Sequence, residues 1–226
     1  MEPKISKNQQ AYKLGFIILS LLYLIALSMN LNNVIFYMKP LLLLPLMMLV
    51  LETKSFKGKI LLFLALIFSW FGDILLLFAG DNSKYFILGL LSFLTAHIFY
   101  ISLFRLLKTY QDKGDKNILV YVFVCLYGIT LLFVLFPHLG EMKIPVIIYA
   151  GVICVMLITA VFTARRFEAK NSWVLTGGAI AFVLSDSMLA INKFSTPFLG
   201  ASFLIMLSYL YAQYSITMAC LDEVTR

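Results

Sequence analysis

The 226-residue sequence is poor in charge, because only 13% of its residues are Asp, Glu, Lys or Arg, whereas 62% are hydrophobic. A soluble domain carries about 25% charged residues, so a soluble globular protein, a disordered chain and a charged coiled coil are excluded. Cysteine is scarce as well. The three cysteines, Cys125, Cys154 and Cys220, lie inside apolar runs without CxxC spacing. No disulfide framework is therefore predicted.

Common catalytic signatures are also missing. The chain has no GxSxG elbow, no P-loop, no HExxH and no dinucleotide fingerprint. It has only two histidines, His97 and His138. One buried histidine with two aspartates supplies few ligands, so neither a metal nor another cofactor is predicted. A zinc-dependent membrane amidase is kept as an alternative.

Long apolar runs dominate the sequence. Eight of them are long enough for a helix to cross the hydrocarbon core of a membrane, and they cover residues 14–31, 33–51, 60–80, 85–107, 118–136, 144–163, 173–192 and 198–220. Backbone groups cannot stay unpaired in lipid, so these runs must be helical. The sequence predicts an all-α polytopic membrane protein with eight transmembrane helices in one domain, residues 1–226. The Lys39-Pro40 step is expected to kink the second span.

The positive charges are distributed unevenly between the two sides of these spans. Fourteen of the 18 Lys and Arg residues fall on one side, namely Lys4, Lys7, Lys13, Lys54, Lys57, Lys59, Arg105, Lys108, Lys113, Lys116, Arg165, Arg166, Lys170 and Arg226. The opposite loops hold only Lys84, Lys143 and Lys193. The positive-inside rule therefore places both termini in the cytoplasm. The net charge of +7 is a topology signal, so no nucleic-acid partner is predicted. The composition points to a bacterial plasma membrane.

The two halves of the chain resemble each other. Residues 88–94 (LGLLSFL) match residues 199–204 (LGASFL) at an offset near 111, and Gly72-Asp73 matches Ser185-Asp186 at an offset of 113. These offsets predict two parallel four-helix repeats, related by an axis along the membrane normal. Asp73 and Asp186 would then occupy equivalent positions.

Four ionisable residues lie well inside the spans: Lys39, Asp73, His97 and Asp186. A charged residue at mid-membrane costs roughly 2.5–3.5 kcal/mol on insertion scales, so such residues face the bundle interior and mark candidate functional sites. A structural ion pair between Lys39 and one aspartate is the simplest explanation. It leaves the second carboxyl group unexplained.

Polar residues at similar depths extend this candidate site. Tyr149 falls in the same layer as Lys39 and the two aspartates, Tyr100 follows His97 on one helix face, and Tyr211 and Gln213 lie in the eighth span. Two carboxyl groups that share one cation need not both ionise. A protonated acid beside an ionised carboxylate suits acid–base cleavage of acetal-like bonds.

Several segments together resemble the YhhN family of membrane proteins. They are KPL at 39–41, SWFGDILL at 69–76, GLLSFLTAHIFY at 89–100, YA at 149–150, GAIAFVLSD at 178–186 and YAQ at 211–213. The family includes lysoplasmalogenases, which hydrolyse the vinyl-ether bond of lysoplasmalogens to a fatty aldehyde and glycerophospho-ethanolamine or -choline. The resemblance implies a membrane enzyme that acts on a lysophospholipid among membrane lipids.

The resemblance assigns catalysis to Asp73 and Asp186, which match the aspartates of the family's Gly-Asp and Ser-Asp motifs. Lys39, His97, Tyr100, Tyr149, Tyr211 and Gln213 are expected to bind the substrate or to orient water. A small proton-coupled transporter or lipid carrier that uses the same Lys and Asp residues remains the alternative.

Overall fold

In the computed structural model, the described residues, 6–80, 82–107 and 117–224, are almost entirely helical and contain no strand. The α-helices are α1 (Lys7–Ser28), α2 (Asn32–Met38), α3 (Leu44–Glu52), α4 (Lys59–Leu77), α5 (Ser83–Leu107), α6 (Ile118–Leu135), α7 (Lys143–Ala164), α8 (Ala169–Phe194) and α9 (Ala201–Val224). With α2 and α3 counted as one span, eight helical segments are long and apolar enough to cross a membrane. The predicted all-α fold with eight spans is confirmed.

The helix ends differ from the predicted span limits where local capping decides them. The first helix begins at Lys7 rather than near 14, because the Ser6 hydroxyl and the Gln9 side chain form a capping box around its first turn. It ends at Ser28 rather than 31, before Asn30 takes a left-handed conformation with φ 54°. The last helix covers Ala201–Val224 rather than 198–220 because it follows Gly200, whose φ is 75°.

The second span is interrupted in its middle, as the Lys39-Pro40 step predicts. Residues Lys39–Leu41 form a single 3-10 turn between α2 and α3. Pro40 and Pro45 both lack a backbone N–H, so two carbonyl groups one turn earlier lose their helical partners. Lys39 therefore lies at a break in the helix.

The chain divides into two compact units. The first comprises Met1–Leu103 with Thr217–Arg226, and the second comprises Phe104–Ile216. In the first unit α1 packs against α2 and α3, and α3 packs against α4. In the second unit α7 packs against α6 and α8, and α6 also contacts α8. One boundary falls within α5 and the other within α9, so the predicted four-helix repeat stays a prediction. That residues 1–226 act as one domain stays a prediction.

Large apolar side chains cover much of the outside of both units. Leu22 on α1 is 50% exposed and Phe133 on α6 is 81% exposed. A water-soluble protein rarely exposes so much contiguous apolar surface, whereas a bilayer solvates it. The protein is thus an integral membrane protein. Five of the basic residues that predict its orientation, Lys4, Lys108, Lys113, Lys116 and Arg226, lie outside the described residues.

Candidate functional site

Lys39 and Asp73 form an ion pair in the first unit. The Lys39 Nζ atom lies 3.9 Å from Asp73 Oδ1, and the two side chains are 12% and 3% exposed. The distance is too long for a good hydrogen bond but short enough for strong attraction where water is scarce. A buried carboxylate needs such a counter-ion. The structure thus brings Lys39 to Asp73, a choice between the two aspartates that the sequence leaves open.

Helix α4 positions this ion pair through two contacts with the interrupted span. The indole N–H of Trp70 donates a hydrogen bond of 2.6 Å to the carbonyl oxygen of Pro40. Trp70 and Asp73 are three residues apart and share a face of α4. The Trp70 contact therefore satisfies a carbonyl at the break, while Asp73 pairs with the adjacent Lys39.

Three more polar side chains are buried in the interior of the first unit. Tyr23 on α1 is buried and lies close enough to interact electrostatically with Asp73. Ser69, one turn before Asp73, and Ser20, three residues before Tyr23, are buried, and within the described residues their hydroxyl oxygens have no hydrogen-bond partner. We call Lys39, Asp73, Tyr23 and Ser69 the lysine–aspartate cluster. It gives this unit an uncommonly polar interior for a membrane bundle.

Close packing of α4 against α5 fixes the backbone beside Asp73. A Cβ atom on Gly72 would lie 2.6 Å from the ring of Phe93. One turn later on α5, the Nδ1–H of His97 donates a hydrogen bond of 2.7 Å to the Phe93 carbonyl oxygen. A neutral ring bound in this way presents Nε2 as an acceptor. His97 and Tyr100 are both fully buried in the first unit.

In the second unit, the carboxyl group of Asp186 is held by a tyrosine. The Tyr149 hydroxyl on α7 donates a hydrogen bond of 2.8 Å to Asp186 Oδ2 on α8, and both side chains are buried. The structure brings together Tyr149 and Asp186, which the sequence places at a similar depth. The partner of this aspartate is a neutral donor, whereas Asp73 has a cation beside it.

A second tyrosine extends this arrangement. The Tyr127 hydroxyl on α6 donates to Ser187 Oγ at 2.7 Å, and the Ser187 hydroxyl donates in turn to the Val183 carbonyl oxygen. Tyr127 also interacts electrostatically with Asp186. We call Tyr149, Asp186, Tyr127 and Ser187 the tyrosine–aspartate cluster. Three helices of the second unit thereby converge on one buried carboxyl group.

The two predicted residues on α9 occupy different environments. Gln213 is completely buried, whereas Tyr211 is 51% exposed. Residues two positions apart on an α-helix are separated by about 200° of rotation, so Tyr211 and Gln213 cannot face the same neighbouring helix. The Tyr211 hydroxyl lies 3.3 Å from the position that a Cβ on Gly177 would take. Tyr211 therefore lies over the small residues of α8, and Gln213 belongs to the interior.

Comparisons with known proteins show which sequences this chain is similar to. The family model described as the YhhN family matches residues 34–220. The chain belongs to the YhhN family. It is 30% identical over 166 residues to Lysoplasmalogenase TMEM86A of Homo sapiens, and the alignment covers 72% of this chain and 65% of the human protein. It is also 30% identical over 134 residues to a Lysoplasmalogenase of Mycobacterium tuberculosis (strain CDC 1551 / Oshkosh), covering 58% of this chain and 49% of that protein.

The chain thus aligns with less than two thirds of the length of these relatives. No solved structure is significantly similar to it. The part that the YhhN family model matches includes Lys39, Asp73, Tyr149 and Asp186. Both carboxyl groups and the partners that hold them therefore lie in the region that defines the family.

Some members of the two clusters escape prediction from this YhhN-family sequence. Tyr127 lies in a span where a tyrosine is unremarkable, and nothing in the sequence distinguishes it. Ser20 and Tyr23 are three residues apart, and Ser69 and Asp73 are four apart, so each pair lies on one face of its helix. These polar faces on otherwise apolar spans could have predicted that the four residues point to the interior.

Two further predictions concern ligands and the carboxyl pair. Within the part of the chain that the structure describes, no three His, Cys, Asp or Glu side chains are grouped closely enough to hold a metal ion.

Asp73 and Asp186 belong to different units. Their action as a catalytic pair stays a prediction.

Proposed function

We propose that this YhhN-family protein hydrolyses the vinyl-ether bond of lysoplasmalogens and releases a fatty aldehyde with glycerophospho-ethanolamine or -choline. Two relatives that are 30% identical bear the name lysoplasmalogenase. The observation that carries the proposal is a buried carboxyl group in each unit, held by a side chain from another helix. Buried ionisable groups in membrane spans are costly and are a mark of function.

The reaction needs a proton donor and a base but no oxidant or reductant. Protonation of the vinyl-ether carbon that does not bear oxygen gives an oxocarbenium ion. Water adds to the adjacent carbon and loses a proton, which forms a hemiacetal. The hemiacetal hydroxyl then loses its proton as the bond to the glycerol oxygen breaks, and that oxygen takes up a proton. One water molecule is consumed, and general acid–base catalysis accelerates both proton transfers.

We assign the ionised role to Asp73. The Lys39 ammonium group at 3.9 Å stabilises a negative charge on this carboxylate. An ionised carboxylate stabilises the oxocarbenium ion by its charge and accepts the proton of the attacking water. Trp70 and the break in the second span hold the ion pair in place.

The proton donor is then Asp186. A mechanism with one base and one acid leaves the donor role to the second carboxyl group. The Tyr149 hydroxyl binds Oδ2 and thereby orients the carboxyl group for proton transfer. Tyr149 fixes the rotamer of the acid, and we expect it to be a positioning residue.

The remaining predicted residues have supporting roles in this proposal. His97, Tyr100 and Gln213 are fully buried and suited to orient water. Tyr211 is half exposed on α9 and suited to contact the headgroup. The single alkenyl chain of the substrate would lie against the apolar spans.

The test is aldehyde release from lysoplasmenylethanolamine by the detergent-purified protein, beside an ester-linked lysolipid of the same chain length. Wild type should release aldehyde from the vinyl ether alone. Asp73→Asn and Asp186→Asn should each lose at least about 100-fold in turnover, the size of a typical acid–base contribution. Glu141→Gln is the matched control, because Glu141 is exposed between α6 and α7. Normal turnover in both aspartate variants would refute the mechanism.

A transporter remains the second candidate because of one observation. The second span is discontinuous, and Lys39 lies at the break. Broken helices that carry charged groups are typical of ion-coupled transporters. Proton-coupled lipid uptake into proteoliposomes, without product formation, would favour this function over hydrolysis.

We also propose that both termini face the cytoplasm of a bacterial cell. The asymmetry of the Lys and Arg residues supports this orientation. A membrane-impermeant thiol reagent should label a cysteine introduced at Asn8 only after the membrane is opened, and should label one introduced at Glu141 in intact cells.

A further inference from the structure

The second unit contains a cleft that the proposed hydrolysis does not use. It has a volume of about 360 Å³ and lies among the end of α5, the start of α6 and the second half of α7. Arg105 and Tyr121 line one part of it, and Val155, Ile158 and Phe162 follow along α7. Clefts of ~300–1,000 Å³ are of the size that holds small ligands.

The cleft is polar at the helix ends and apolar deeper in the span. Arg105 lies two residues before the end of α5, and Tyr121 lies three residues after the start of α6. Phe162 lies two residues before the end of α7, whereas Val155 lies nine residues before it. At 1.5 Å per residue, the cleft extends roughly 10 Å along α7 from its polar end. This arrangement matches an amphiphile with a charged head and a hydrocarbon chain.

The charge at the polar end is positive. Within residues 6–80, 82–107 and 117–224, no carboxylate lies within ion-pair distance of Arg105. The Arg165 guanidinium lies 5.2 Å from the centroid of the Phe162 ring, which places a second cation beside the cleft. Arg166 follows in the connection between α7 and α8, which also holds Glu168, and Lys170 lies in the first turn of α8. Guanidinium groups bind phosphate through several charge-assisted hydrogen bonds.

We propose that this cleft binds an anionic phospholipid of the membrane, with the headgroup phosphodiester on Arg105 and part of one acyl chain along Val155 and Ile158. A zwitterionic lipid would bring its ammonium group next to the cations at the polar end of the cleft. The like charges would repel each other, so an anionic headgroup is favoured. A basic pocket between spans on the positively charged side of a bundle is a typical site for an anionic headgroup.

The lipid site is separate from the tyrosine–aspartate cluster. Thr159, in the middle of the cleft, lies ten residues after Tyr149 on the same helix. Ten residues of α-helix span about 15 Å. The proposal is therefore independent of hydrolysis, and its test needs no activity measurement.

The experiment is native mass spectrometry of the detergent-purified protein, titrated with dioleoylphosphatidylglycerol or dioleoylphosphatidylcholine. Wild type should bind the anionic lipid about tenfold more tightly, the effect expected for one charge-assisted contact to phosphate. Arg105→Gln should remove this preference. Lys84→Gln is the matched control at the other end of α5 and should keep it. Val155 is 40% exposed, so Val155→Phe should be tolerated and should weaken binding of both lipids.

Four results would overturn the proposal. Equal affinity of wild type for the two lipids would show that the cleft does not select an anionic headgroup. An unchanged preference in Arg105→Gln, or no effect of Val155→Phe on either lipid, would place the bound lipid elsewhere. Displacement of the lipid by millimolar inorganic phosphate would identify a site for free phosphate instead. Lipid binding that resists inorganic phosphate supports the proposal.

Discussion

Replacement of Lys39 by Met should expose how far the lysine–aspartate pair stabilises the fold. Met keeps an unbranched side chain that is one atom shorter and removes the charge. It leaves Asp73, which is 3% exposed, without the Lys39 ammonium group at 3.9 Å. Removal of one partner from a buried ion pair typically costs about 3–5 kcal/mol, because the remaining charge is buried without compensation. Protonation of the carboxyl group limits this cost.

The coupling between the two side chains can be bounded from their distance. Two unit charges about 4 Å apart attract each other by about 1 kcal/mol in water and by about 4 kcal/mol at the effective dielectric constant of a protein. The Lys39 side chain is 12% exposed, so water partly screens the attraction, and energies near the value in water must be included. A double-mutant cycle of Lys39→Met and Asp73→Asn should therefore give a coupling free energy between about 1 and 4 kcal/mol.

The assay is reversible unfolding in mixed micelles by titration with sodium dodecyl sulfate. The fluorescence of Trp70 reports on the same region, since its indole bonds to the Pro40 carbonyl beside Lys39. Wild type, both single variants and the double variant are measured at pH 7. The double variant should be more stable than the sum of the two single losses predicts, because it contains neither charge.

A coupling free energy below about 0.5 kcal/mol would refute this reasoning, since unrelated sites deviate from additivity by that much. Lys39 and Asp73 would then not interact as an ion pair. The assignment of the ionised role to Asp73 would lose its support as well, whether or not the protein hydrolyses lysoplasmalogens.

Two further predictions test the surroundings of the carboxyl groups. Tyr149→Phe should reduce aldehyde release at least about fivefold, because it removes the hydroxyl donor from a buried oxygen of Asp186, at a cost of about 1–3 kcal/mol; unchanged turnover in a folded Tyr149→Phe protein would show that Tyr149 does not position Asp186. Gly72→Ala should destabilise the protein by about 1–3 kcal/mol in the micelle assay, because its Cβ would lie 2.6 Å from the Phe93 ring. Gly151→Ala, which would meet no atom within 4 Å, should be neutral or stabilising; equal effects of the two glycine variants would contradict the close packing of α4 on α5.

The fold was predictable because the lipid environment allows few alternatives. A run of some 20 apolar residues can only be a helix in a bilayer, so the sequence determines the number of spans. It does not determine where each helix ends. The capping box at Ser6 and the left-handed conformation of Asn30 move the first helix by several residues. Such local hydrogen bonds and turns lie in segments where hydropathy carries little information.

The candidate site was predictable only in its ionisable members. Lys39, Asp73 and Asp186 are conspicuous because charge is expensive inside a span. Which aspartate pairs with Lys39 depends on the rotation and packing of the helices, and hydropathy says nothing about either. Tyr127 and Tyr23 were missed because tyrosine costs little in a membrane span. Their importance comes from the carboxyl groups beside them.

The predicted internal repeat would account physically for two carboxyl groups with different partners. Asp73 and Asp186 occupy the third span of each half of the chain, as a duplicated four-helix unit would place them. A duplication initially gives both copies the same surroundings. Here one copy supplies a lysine and the other a tyrosine. A cation favours the ionised form of its carboxyl group, whereas a neutral hydroxyl group can bind either form. In the proposed mechanism, substitution of a single partner would therefore be enough to give two equivalent aspartates the opposite roles that acid-catalysed hydrolysis of a vinyl ether requires.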